Sequence, residues 1–355
     1  MILKLFLFWR LGLFLLIVLA SFTVAKTTGS QINPFYSWAG WDGGHYLAIA
    51  KNGYITLEDY AFFPLFPLAI KLTSFLFFGN YILAGLAISH LSAVAFLYMF
   101  YNLVKKRAGK SVATSSILTF VLFPTSFFTV ALYSESLFLI FAALSFYFLD
   151  KKNYLYASIF ASLASLTRFV GIALVIAIIY DYFASRKFKI KNLNKTFWQV
   201  LISPLGFIFY SFYLYLTSGD FLYFLKAQMF FWQREITNPF TTVSVYIEEL
   251  VTLHPRPLFH YFDFLITILF LLVLVLGRRK IPSSWWIFSA LVILIPASTT
   301  SLVSMSRFAL ASLGSFVIIG KFLEEKPYLK MPLWGLSLLV QAFLVVRFAS
   351  GIWTA

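Results

Sequence analysis

The chain has 355 residues, of which 61% are hydrophobic and only 12% charged, with mean hydropathy +0.87 and a net charge of +15. A soluble domain carries roughly twice that share of charge, so a water-soluble globule is excluded. Cysteine is absent, which removes disulfides, thiolate nucleophiles and zinc–thiolate sites.

Apolar runs of about 15–25 residues recur along the chain, each long enough to cross or nearly cross a bilayer core. Their continuity points to helices rather than to the alternating strands of a barrel. The expected fold class is all-α, a polytopic membrane protein with about eleven transmembrane helices. In chain order the spans are expected near residues 5–25, 81–104, 112–132, 133–149, 154–168, 169–184, 197–217, 260–276, 283–300, 306–322 and 332–350.

The basic residues set the threading. Lys4 and Arg10 precede the first span, and Lys105, Lys106, Arg107 and Lys110 follow a later one. Then come Lys151 and Lys152, SRKFKIKNLNK (185–195), GRRK (277–280), and Lys321, Lys326 and Lys330. By the positive-inside rule these face the cytoplasm, with the N-terminus inside and the C-terminus outside. The inner side then carries four acids (Asp150, Asp181, Glu324 and Glu325) and the whole net charge of +15. Topology accounts for the positive charge, and nucleic acid is not an expected partner.

The first segment reads as a signal anchor, with a cleaved signal peptide ending near FTVAK as the alternative. Residues 61–78, AFFPLFPLAIKLTSFLFF, are apolar enough to span, but crossing would invert every later loop. Pro64, Pro67 and Lys71 also interrupt the run, so this segment is expected to lie in the outer interface. The two long stretches outside the spans are 26–80 and 218–259, the first and second outer loops. Without internal repeats or soluble insertions, residues 1–355 read as a single membrane domain.

On this threading the polar oddities gather at the outer boundary. WDGGHYLAIAKNGY (41–54) brings Trp41, Asp42, His45 and Tyr46 into the first outer loop, followed by Glu58 and Asp59. Glu135, in ALYSESLF, and Arg168, in ASLTRFVG, fall at outer turns. Gln228, Trp232 and Arg234, in KAQMFFWQRE, lie in the second outer loop, with His254 and Arg256. Arg307, in SMSRFAL, marks a late outer tip. Ionisable groups at membrane depth are costly and mark function.

Each also has a plainer reading. Asp42 is either a helix N-cap or an acid sharing one helix face with His45 and Tyr46. His45 alone reads as a structural hydrogen-bonder, and Glu58 and Asp59 as solvated loop acids. Arg168 is a snorkelling anchor or an anion binder. Lys226, Arg234 and Arg256 could balance Glu235, Glu248 and Glu249. No Walker A loop, GxGxxG, HExxH or GxSxG occurs, so nothing points to nucleotide use.

WDGGHYLAIAKNGY followed by AFFPLFPLAIKL resembles the signature of the PIG-V family of mannosyltransferases, membrane glycosyltransferases of the GT-C class. FPTSFFTVALYSESLFLIFAALSFYFL, ASLTRFVG, AQMFFWQRE with Pro239 soon after, and SMSRFAL are similar to further family segments in the same order, from about residue 38 to 310. The resemblance implies a GT-C-like fold of many transmembrane helices, with the catalytic acid and interfacial helices in the first outer loop. It also implies a polyprenyl-phosphate sugar as donor, with no cofactor. A prokaryotic member, in the plasma membrane and working on a glycolipid or glycan acceptor outside the cell, is expected.

By match to the family's WD acid, Asp42 is the expected general base, with His45 beside it. An arginine fork suits a phosphate leaving group, which nominates Arg168, then Arg307 and Arg234. Trp41, Tyr46, Glu135, Gln228 and Trp232 are candidates for sugar or acceptor contacts. Without a DxD-type pair beside Asp42, no metal is expected. The rival class is a transporter or lipid flippase, which would place its ionisable groups nearer the membrane midplane and show repeated halves.

Overall fold

The computed structural model describes residues 1–28, 33–189, 194–252 and 256–354. His254 lies outside these. The described residues form sixteen α-helices and no β-strand, with one antiparallel bridge between Ile236 and Thr299. The helices are α1 (Ile2–Thr28), α2 (Asp42–Asn52), α3 (Leu65–Thr73), α4 (Tyr81–Val121), α5 (Glu135–Asp150), α6 (Tyr154–Thr167), α7 (Ile172–Ser185) and α8 (Thr196–Val200). They continue as α9 (Leu205–Ser218), α10 (Tyr223–Trp232), α11 (Pro239–Val251), α12 (Leu258–Leu276), α13 (Ser283–Ala297), α14 (Met305–Ala309), α15 (Leu313–Glu325) and α16 (Lys330–Ala349). Four stretches, Ile2–Phe22, Tyr81–Val121, Phe259–Leu276 and Pro327–Ala349, are long and apolar enough to cross a bilayer. Leucine and phenylalanine stand exposed along them, as at Leu7, Phe8, Leu11, Leu15 and Leu19 of α1. That surface is stable against lipid, not water, and the protein is an integral membrane protein.

The chain divides into two compact units. One comprises Met1–Gly53, Phe66–Ile140 and Ile319–Ala355; the other comprises Tyr54–Leu65 and Phe141–Ile318.

In the first unit α1 packs on α4 and α16. Gly109 breaks α4 with φ 88°, a left-handed conformation that glycine adopts freely. The KKRAGK stretch is thus a kink between two helical arms rather than a loop. The second arm stops at Val121, well short of the expected residue 132, because Pro124 cannot continue the hydrogen-bond ladder. Residues 122–134 form no regular helix beyond a short 3₁₀ turn, Ser126–Thr129, and nearly all are buried.

Such backbone at membrane depth needs partners. Gln341 of α16 supplies them: its Nε2 donates to the carbonyls of Val121 (3.0 Å) and Phe123 (2.7 Å), while its Oε1 accepts from Trp9 Nε1 (3.0 Å). Ser337 donates to the Leu122 carbonyl (2.8 Å). The nine-residue α3 is too short to cross a bilayer core of about 30 Å. It buries Phe66 and Ile70 and exposes Leu68 and Leu72.

In the second unit α6, α7 and α13 form the centre, with α9 and α8 against α6 and α12 against α13. Gly206 lets α9 approach α6 closely: a Cβ there would stand 1.9 Å from the Ser162 carbonyl oxygen. Small residues at such crossings are the usual means of packing membrane helices. The expected span 197–217 is divided between α8 and α9, with Pro204 at the start of α9, and the expected span 306–322 between α14 and α15. The strand-like pieces 233–237 and 298–300 pair through Thr237 N to Ser298 O (3.0 Å) and Thr300 N to Glu235 O (2.9 Å).

Candidate functional site

In the first unit the WDGGHY motif opens α2. Gly40 O accepts from Gly43 N (3.1 Å), and Trp41, between them, has φ 56° and ψ −123°. This is the first central position of a type II′ turn, which normally demands glycine. Holding tryptophan there costs about 1–3 kcal/mol. Strain of that kind persists only where the surroundings fix it. Trp38, fully buried, offers its carbonyl to Leu132 N (2.8 Å), and Tyr133 Oη donates to Gly40 O (3.3 Å). Trp41 packs edge-on against Trp353 (5.2 Å), whose carbonyl is held by Arg347 (3.0 Å). Gly43 is confined too, since a Cβ there would lie 3.3 Å from the Leu132 carbonyl.

Asp42 is the first residue of α2, and the N-cap position belongs to Trp41, without a side-chain cap. Asp42 therefore does not cap α2, although the helix N-terminus favours its charge. Asp42 and His45 are both half-buried. Tyr46, one turn on, is buried; its hydroxyl meets Ser134 Oγ at 2.7 Å and its ring meets Phe66 edge-on at 4.9 Å. Glu135, next to Ser134, begins α5 and is 3% exposed. Trp41, Asp42, His45, Tyr46 and Glu135 thus belong to one neighbourhood.

The second unit gathers the arginines. Gln233, at φ 51°, ends α10 and turns the chain back, so that Arg234 N reaches the Gln228 carbonyl (3.1 Å). Arg234 is buried, and its Nη2 donates to the Val303 carbonyl. The guanidinium carbons of Arg168 and Arg234 stand 5.5 Å and 5.4 Å from the ring of Phe308. Arg307, the next residue back, is 6% exposed. Trp232 packs edge-on against Phe62 (5.7 Å). Lys226 pairs with Asp220 (2.9 Å), and Arg256 pairs with Glu249 through Nη2 (2.7 Å), so balancing charge explains those two cations.

Asp263 is the residue that inspection of the sequence passed over. It lies inside α12, 1% exposed, with Oδ2 accepting from Ser304 N and Oδ1 from Ser306 N, both at 2.8 Å. Those bonds fix residues 304–306, immediately before Arg307 and Phe308. The signal was present: an acid within FHYFDFLITILF is expensive at membrane depth.

Two expectations are corrected. Asp59 is not a solvated acid; it is 5% exposed and accepts from Ile55 N (3.1 Å) and Thr56 N (3.0 Å) in a capping box. Arg10 does not precede the first apolar helix but lies within it, and its guanidinium stands over the Trp38 ring, 4.0 Å from the centroid.

The sequence profile described as Mannosyltransferase (PIG-V) matches residues 13–234, more than half of the chain. "GPI mannosyltransferase 2" of Schizosaccharomyces pombe is 31% identical over 172 residues, 47% of this chain and 36% of that protein. The chain thus covers little more than a third of that relative's length. Among solved structures, ArnT from Cupriavidus metallidurans bound to undecaprenyl phosphate superposes with a TM-score of 0.51 at 13% identity, over 96% of this chain and 63% of that one. The likeness to ArnT establishes a shared fold, and the profile match over more than half of the chain shows that the chain belongs to the PIG-V family of mannosyltransferases.

Proposed function

We propose that the protein transfers a hexose, mannose by its family, from a polyprenyl-phosphate carrier to a hydroxyl of a lipid-linked or glycan acceptor on the extracytoplasmic side. The supporting observation is that the family match, residues 13–234, contains the strained turn presenting Asp42 and two of the clustered arginines, Arg168 and Arg234. The undecaprenyl phosphate bound to ArnT fits a polyprenyl donor here.

The chemistry follows from the residues. Asp42 accepts the proton of the acceptor hydroxyl as its oxygen attacks the anomeric carbon. The sugar–phosphate bond breaks through an oxocarbenium-like transition state, and the bonding pair leaves with the phosphate. Arginine forks suit that growing negative charge, because they donate in parallel to two oxygens. Arg168 is the first candidate, followed by Arg307 and Arg234. His45 orients Asp42, while Trp41, Tyr46, Glu135, Gln228 and Trp232 contact sugar or acceptor. One displacement with one base inverts the anomeric centre, and the scheme needs no metal.

The test is reconstitution in liposomes with radiolabelled polyprenyl-phosphate mannose and a cell lipid extract, with products resolved by mass spectrometry. Mannosylated lipid is the expected result. Substrate flux across the liposome wall without sugar transfer would instead establish a transporter.

A further inference from the structure

Arg10 is the least expected charge in the first unit. It sits within the apolar stretch Ile2–Phe22 of α1, where a cation needs a reason. Among the described residues no carboxylate pairs with it. Its Nε donates to His90 Nε2 (2.8 Å), and His90 Nδ1 donates to the Leu86 carbonyl (2.7 Å), leaving Nε2 as the acceptor. One guanidinium nitrogen, Nη1, is buried and makes no hydrogen bond. The remaining contact is the face of Trp38, at 4.0 Å.

Trp38 is 0% exposed, yet its own Nε1 finds no hydrogen-bond partner. The ring is therefore fixed by its face and not by its N–H. A desolvated guanidinium over tryptophan is the strongest common form of that contact. Trp38 belongs to the 3₁₀ turn Ser37–Ala39, which runs directly into Gly40, the left-handed Trp41 and Asp42. The path from Arg10 to Asp42 thus consists of one ring and one strained turn.

We propose that Arg10 is a positioning residue for Asp42, acting through the face of Trp38 to hold the Gly40–Trp41 turn in its left-handed conformation. Its catalytic consequence rests on the function proposed above; its geometric consequence does not. That separation decides the experiment. The cysteine-free chain accepts Asp42→Cys, and a nitroxide attached there reports the motion of the helix start by electron paramagnetic resonance in liposomes. With Arg10 present the expected spectrum is immobilised and single. Arg10→Met is expected to add a mobile component, Trp38→Leu to do the same, and Arg10→Lys to restore part of the immobile signal. A label at Ala349→Cys in the same variants controls for general loosening and is expected to stay unchanged.

In chains that retain Asp42, Arg10→Met is expected to lower kcat about 10–100-fold with donor KM within about twofold, as for a misplaced base. The double variant with Trp38→Leu is expected to be no worse than either single one, because both act along one path. Unchanged spectra at position 42 in Arg10→Met overturn the proposal, whatever the activity. Equal loosening at both labels also overturns it, since Arg10 would then be a general prop. Absence of transfer in the unaltered protein, with the expected spectra, removes the function and leaves the positioning role intact.

Discussion

The two units hold their unusual polar groups by opposite means. Around Asp42 the support is backbone and ring: a II′ turn, two carbonyl contacts from Leu132 and Tyr133, and the faces of Trp38 and Trp353. Around Arg234 and Arg307 the support is a buried carboxylate, Asp263, gripping the backbone of residues 304–306 with the Arg234 charge acting on it. Buried arginines, always charged, are stabilised by an acid nearby. The Asp42 turn is fixed by backbone geometry and aromatic rings, and the segment before Arg307 by a buried carboxylate.

Breaking each side separates the two. Asp42→Asn keeps the turn and removes the base, so transfer is expected to fall about 10³-fold with donor affinity retained; a turnover assay showing more than a tenth of normal rate rejects the assignment. Asp263→Ala leaves the buried Ser304 and Ser306 N–H groups without their acceptor, and a loss of about 2–5 kcal/mol is expected, read as a lower unfolding temperature in detergent. Asp263→Asn, which keeps an acceptor, should lose less. Arg168→Ala is expected to weaken donor binding roughly 10–100-fold, the value of a charge-assisted hydrogen bond, with kcat less affected; donor titration by calorimetry decides it.

Smaller changes sharpen the contrast. Trp41→Gly relieves the left-handed strain, so stability is expected to rise by about 1 kcal/mol, less the lost contact with Trp353, while transfer drops. A fall in stability with unchanged transfer would make the turn merely structural. The smallest effect lies away from both regions, at Glu324. Burial opposes its charge, but hydrogen bonds from Lys330, Ser111 and Ser115 outweigh it and hold the carboxyl at about 2. A depressed carboxyl stabilises the fold above its ordinary value near 4.5 and loses that contribution as pH falls toward 2. Glu324→Gln is expected to flatten acid unfolding in that window and to lower neutral stability modestly, because the contribution of the depressed carboxylate, screened by solvent, is lost there.

Hydropathy and lysine placement made the helical membrane class legible, because both follow from the solvent. The motif around Asp42 was legible for a different reason: an acid, an imidazole and two glycines stand out in an oily chain. Three things were not legible. The stop at Val121 hides behind apolar residues that would suit a helix as well as they suit buried coil, and only Pro124 hinted at it. Arg10 looked like a cytoplasmic cap because its partners, Trp38 and His90, lie 28 and 80 residues away. Asp59 looked solvated because a capping box depends on where Thr56 turns, which hydropathy does not encode.

Gln341 also imposes an order of assembly. Its amide satisfies carbonyls at Val121 and Phe123 and meets Ser126, a residue synthesised 215 positions earlier. At about 5–20 residues per second, the ribosome delivers that amide roughly 10–40 seconds after the segment it completes. Through that interval the backbone after Val121 must borrow partners, from water, lipid headgroups or the insertion machinery. Lengthening the chain between residues 126 and 341 would therefore slow maturation without touching a single native contact.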